Sequence, residues 1–182
     1  MVLSKEEVKK ILDATANTKH KAILMLIYSG GLRVGEVVRL KPEDIDSTRS
    51  LIHLKGSKGK KDRYTILSRS AFLILRKYYT QYRPNKWLFE GAKPRSHISV
   101  RTVQAVFKQA CEKAGIRKKV SAHSLRHSFA THLLESGVDL RYIQELFGHK
   151  SSKTTEIYTH VSKANLASIK NPLDTILKEG EI

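Results

Sequence analysis

Cysteine is almost missing from this 182-residue sequence, with Cys111 the single example. A disulfide framework is therefore excluded, and one thiol reads most simply as a small core residue in a reducing compartment. No apolar run is long enough to cross a membrane and no signal peptide is present, so the expected place is the cytoplasm, in contact with the nucleoid. Internal repeats, low-complexity tracts and long linkers are lacking too, and the length suits one domain with an ordinary core. Acidic charge is scarce. Asp and Glu number 17 against 34 Lys and Arg, for a net charge of +17. The basic residues run through the whole chain, which points to a polyanionic partner and to nucleic acid first. Charge alone leaves a ribosomal-type or merely soluble basic protein open.

The patterning predicts a mostly α domain with a small antiparallel β-sheet, an α+β class. "LSKEEVKKIL" sets Ser4 three residues before Glu7, a capping box for a helix with Val8, Ile11 and Leu12 on one face. "HKAILMLIYSGG" is apolar nearly all round, which predicts a buried helix ending at Gly30 and Gly31. "SLIHLKGSKGKKDRYTIL" reads as two short strands, Leu51 to Leu54 and Tyr64 to Leu67, joined by a Gly/Lys-rich turn. Further helices are predicted at about 70–82, 99–114, 122–136 and 139–147, with Gly115 and Gly137 as C-terminal caps. Trp87 and Phe89 in the intervening loop are expected to anchor it to the core.

The segment Ser121 to Val161 is unusual in holding five histidines, two arginines and Tyr158 among helically spaced apolar residues. His123 and Arg126, three apart, share a helix face beside the core-forming positions Leu125, Phe129 and Leu133. Taken alone, such a pair caps a helix or meets a carboxylate as readily as it does chemistry. His123 and His127 stand four apart, as two metal ligands do. No Glu occupies an HExxH position and Arg126 would repel a dication, so no metal site is read, and His127 and His132 are expected to be structural, satisfied by hydrogen bonds. Arg33 follows a Gly-Gly turn, where a guanidinium fork suits two phosphodiester oxygens; the plain alternative is neutralisation of Glu36. Lys58 lies at the hairpin tip in "GSKGKKDR", either a cationic finger or one of several solvated lysines.

Read in order, "GLRVGE", "SKGKKDR", "HSLRHSFATHLL" and "LFGHKSSKTTEIYTHV" resemble the catalytic domain of the tyrosine recombinase (phage integrase) family, near its Xer-like branch. The resemblance runs from "LSKEEVKKIL" to "YTHVS". It implies that fold, with Arg33 and Arg126 as catalytic arginines, Lys58 as the hairpin lysine, His123 and His149 as the two histidines, Tyr158 as nucleophile and Glu36 as a supporting acid. Lys55, Lys60, Lys61, Arg63, Arg101 and Lys150 are expected to contact DNA. "LFGH" stands where many members have "LLGH" or "LMGH", and Phe147 is expected to pack in the same way. The family's N-terminal DNA-clamping domain is missing from the sequence, which reads as a catalytic domain over 1–162 and a tail over 163–182 that docks in cis or on a neighbouring protomer.

What the resemblance implies is cleavage and rejoining of double-stranded DNA through a 3′-phosphotyrosine, by two or four copies on paired sites, with no cofactor, metal or ATP. Two other readings stay open at this point: a relaxing enzyme like the type IB topoisomerases, and a non-enzymatic DNA-binding fragment.

Overall fold

A computed structural model of the chain describes residues 1–57, 61–148 and 168–177, and at Ser57 and Lys61 the backbone only. Ser4 opens helix α1 (Lys5–Asp13) with both halves of the expected capping box: its Oγ accepts from Glu7 N–H at 3.2 Å and its own N–H donates to Glu7 Oε2 at 2.7 Å. Val8, Ile11 and Leu12 are buried on one face. Helix α2 (Thr18–Gly30) is buried from Ala22 to its end, as an all-apolar helix must be, and α1 lies on it. A left-handed Gly31 (φ 61°) stops it. A Cβ there would meet the Phe147 ring at 2.9 Å and the Phe129 ring at 3.1 Å, so both backbone angle and space require glycine.

A one-turn helix α3 (Val34–Val37) follows, and after it a 3₁₀ turn over Pro42–Asp44. The three strands β1 (Ile45–Asp46), β2 (Leu51–Ser57) and β3 (Lys61–Ile66) form an antiparallel sheet in the order β1-β2-β3. The sequence pattern marks β2 and β3; β1 is two residues long, too short to show an alternation. Helices α4 (Arg69–Tyr82), α5 (Val100–Lys113), α6 (Ala122–Glu135) and α7 (Leu140–Phe147) lie within a residue or two of the expected spans. Phe89 and Leu88 anchor the 83–97 loop in the core; Trp87 is only half-buried and donates Nε1–H to Arg95 O at 3.0 Å. Cys111 is buried, which pushes its thiol up to about 11, in keeping with an inert core residue.

The end of α2 organises everything around it. A helix C-terminus leaves carbonyls without intrahelical donors. Three consecutive ones here take side chains from three different elements: Ser29 O accepts Asn171 Nδ2 at 2.7 Å, Gly30 O accepts Thr65 Oγ1 at 2.6 Å, and Gly31 O accepts Arg126 Nη1. Asn171 caps a short helix α8 (Pro172–Ile176), whose Leu173 is buried. Asp174 of α8 accepts from the N–H groups of Arg69 and Ser70 at 3.2 and 2.9 Å, adding a carboxylate to the N-terminus of α4. Residues 168–177 thus pack against α2 and α4.

His132 is buried and its Nδ1 lies 2.8 Å from the Tyr28 hydroxyl, the structural role expected for it. Burial raises the phenol of Tyr28 and lowers the imidazole of His132, outweighing the pull of Glu135 and Glu6 on the latter; Lys5 lowers it further. The pair is therefore an un-ionised phenol hydrogen-bonded to a neutral imidazole. Since the unfolded chain binds the proton more readily, this contribution to stability is complete above the ordinary histidine pKa of ~6.5 and is lost as pH falls through the depressed folded value. Melting temperature should drop below pH ~6.5 and do so less steeply in His132→Gln. Parallel pH profiles for the two proteins would show that His132 does not titrate on unfolding.

Candidate active site

Because Gly31 ends α2 abruptly, Arg33 falls at the N-cap of α3 in extended backbone (φ −73°, ψ 150°) and Glu36 one turn later. Glu36 reaches back to it. Its Oε2 accepts the Arg33 N–H at 2.8 Å and its Oε1 accepts Nη1 at 2.9 Å. The plain alternative for Arg33, neutralisation of Glu36, is thus part of the geometry; yet the Arg33 side chain stays 32% exposed while Glu36 is 9% exposed. The carboxylate fixes one edge of the fork and leaves the other toward solvent.

Arg126 comes from α6 and is 3% exposed. Its Nη1 donates to Gly31 O, its Nη2 to Phe147 O at 3.0 Å, and its guanidinium lies 4.2 Å over the Phe147 ring centroid. Phe147 of "LFGH" is thus packed under the guanidinium and stacked on Phe129, with centroids 6.0 Å apart. Burial first, and then the charges of Arg33 and Arg63, pull the Arg126 pKa down to about 9, still protonated at neutral pH. Arg33 and Arg63 share the one carboxylate of Glu36, and Arg126 adds a third guanidinium near enough to feel their charge, which leaves the site short of negative charge.

His123, three residues before Arg126, is exposed. Partial burial, then His127, Arg126 and Arg33, lower its pKa, so the imidazole is neutral at neutral pH and able to take a proton. His127 departs from expectation. It is exposed and meets the His123 ring edge-on, with centroids 5.0 Å apart and an interplanar angle of 87°, because a spacing of four puts both on one helix face.

Arg63 requires a correction. Expected as a surface DNA contact, it is buried, with its side chain 7% exposed; Nη2 lies 2.8 Å from Glu36 Oε2 and Nη1 donates to Leu146 O. Strand alternation carried the signal, since Arg63 shares a β3 face with buried Thr65, opposite half-buried Tyr64. Lys55 is exposed on β2, but its ammonium is 2.9 Å from Asp44 Oδ1, which raises its pKa. Arg101 is exposed in the first turn of α5. Strands β2 and β3, between which Lys58 falls in sequence, are fastened near their turn end, where Asp62 accepts from Gly56 N–H at 3.0 Å and lies 3.0 Å from His53 Nε2. Lys58, Lys60, His149, Lys150 and Tyr158 lie outside the described residues, as does the Lys61 side chain.

Residues 1–165 match the family described as the phage integrase family. The chain belongs to the phage integrase family. Among its curated relatives, the tyrosine recombinase XerA of Pyrococcus horikoshii is 41% identical over 167 residues, which cover 90% of this chain and 58% of that protein. Of solved structures, XerA recombinase matches this phage integrase family member with a TM-score of 0.77 and 36% identity, over 91% of this chain and 62% of the other. The integrase of mycobacterium phage Brujita matches with a TM-score of 0.76 and 33% identity, over 100% of this chain and 61% of its own. XerH recombinase, in a post-cleavage complex with its palindromic difH substrate, matches with a TM-score of 0.72 and 28% identity, over 91% of this chain and 50% of that one. The chain spans 50 to 62% of the length of these four. The small antiparallel sheet within a helical domain, expected from the pattern, is the family's fold.

Proposed function

We propose that this chain is the catalytic domain of a site-specific DNA recombinase that breaks and rejoins strands through Tyr158. The observation that carries the reading is the Arg33, Arg63 and Arg126 cluster around Glu36, with a neutral His123 beside it. Such a site suits a phosphodiester, whose transition state gains negative charge on its nonbridging oxygens. The Tyr158 oxygen attacks phosphorus and the bond from phosphorus to the 5′-oxygen breaks, leaving a 3′-phosphotyrosine and a 5′-hydroxyl. A phenol of pKa ~10 needs a base, and His123 takes its proton. Lys58 gives one to the departing 5′-oxygen, and His149 donates to a phosphoryl oxygen. Bond energy stays in the covalent intermediate, so rejoining needs no ATP. Arg33 and Arg126 supply the positive charge that metal ions provide in other nucleases. Two or four copies act on paired sites in duplex DNA inside the cell.

Incubation of the protein in EDTA with nicked duplex DNA, followed by proteolysis and mass spectrometry, tests this. A nucleotide adduct on the peptide carrying Tyr158 is expected. DNA bound without any adduct would leave a binding module.

A further inference from the structure

Arg63 touches three segments that the sequence keeps apart. It rises from the middle of β3, paired across the hairpin with Leu54 and five positions after Lys58 in sequence; its Nη2 holds Glu36 at 2.8 Å, and its Nη1 donates to Leu146 O near the end of α7, three positions before His149 in sequence. Gly148, left-handed at φ 62°, lies against its stem: a Cβ there would sit 2.9 Å from Arg63 Cδ. Glu36 in turn uses both oxygens on Arg33. The arrangement is a relay in which one buried carboxylate is held from one side by a buried arginine and, from the other, fixes the half-exposed one.

We propose that Arg63 is a positioning residue for Arg33, acting through Glu36, and that it sets the hairpin and the end of α7 in register with that arginine. This rests on Arg33 being catalytic, as read above. Without Arg63, Glu36 keeps its bonds to Arg33 but loses the partner that fixes its own place. A carboxylate free to move lets the Arg33 fork drift, and misplacement by about 1 Å costs on the order of 10²-fold in rate. Neither Arg63 nor Glu36 need touch DNA for this to hold.

The test is a double-mutant cycle read as the single-turnover rate of adduct formation at saturating nicked duplex. Arg63→Gln should lower that rate on the order of 10²-fold. Its DNA affinity and the salt dependence of binding should match wild type. In a Glu36→Gln background the same change should cost little more, because the relay is already broken. Effects that multiply would overturn the relay. An unchanged rate with weaker binding and a salt slope reduced by about one would make Arg63 a phosphate contact instead. If Arg63→Gln does not fold, Arg63→Lys keeps a buried charge without the fork, and a wild-type rate there would overturn the proposal. A wild-type protein that forms no adduct removes the catalytic reading itself, and so is distinct from a failure of Arg63 alone.

Discussion

Tyr158→Phe is expected to form no covalent adduct with nicked DNA at any pH while binding duplex as tightly as wild type. The substitution removes one oxygen, the atom that bonds to phosphorus in the proposed reaction, and leaves the +17 charge on which the proposed DNA binding rests. Most of the described tyrosines are engaged elsewhere in the fold. Tyr28 is fully buried and spends its hydroxyl on His132. Tyr78 is buried against Tyr82 and Phe89, with its phenol pushed up to about 12. Tyr64 stacks on His53 across the hairpin at a centroid distance of 4.6 Å, and Tyr142 packs on the core. Tyr79 is exposed, yet it lines a groove with Pro42, Ile45 and Phe72 rather than the guanidinium cluster. A denaturing gel decides the matter, since the adduct survives denaturation and a non-covalent complex does not. An undiminished adduct in the variant would move the nucleophile to Tyr79 or Tyr82, the two exposed phenols of α4.

Local signals carried the helices well, because each rests on neighbours in sequence. Ser4 with Glu7 marks the start of α1, and an apolar run closed by two glycines marks α2. Arg33, His123 and Arg126 were legible as a set only through their order along the chain. Their meeting depends on Gly31, whose carbonyl joins α2 to α6 across 95 positions. No periodicity encodes that contact. Arg63 was misread for a related reason. A basic residue in a lysine-rich hairpin looks like more surface charge, and its burial follows from the one carboxylate, Glu36, that lies 27 positions earlier and faces it in the fold. His127 differs in the opposite sense: spacing placed it beside His123, and a structural role satisfied by hydrogen bonds was expected, whereas the structure leaves it exposed against the His123 ring.

Arg126→Met should lower the single-turnover adduct rate by about 10²- to 10³-fold, the loss seen when one preorganised oxyanion donor is removed. The geometry explains why this side chain is already in place before DNA arrives. A guanidinium carries five N–H donors, and Arg126 commits one on Nη1 to Gly31 O and one on Nη2 to Phe147 O, with its face on the Phe147 ring. The fork is thereby fixed in plane while other N–H groups remain for a phosphate. Stability changes in both directions. Two carbonyls lose a donor, at about 1–3 kcal/mol for each one left buried and unpaired, while the burial of a charge and its crowding with Arg33 and Arg63, which together depress the Arg126 pKa, are relieved. The melting temperature should therefore fall, and the rate must be read well below it. Arg126→Lys is the sharper comparison, because it keeps the charge but cannot hold two carbonyls and a phosphate with one ammonium. If the fork matters, lysine should bind DNA as wild type does and cleave nearly as slowly as methionine. A lysine variant cleaving at the wild-type rate would mean that charge alone suffices, and that the contacts to Gly31 and Phe147 serve the fold rather than the chemistry.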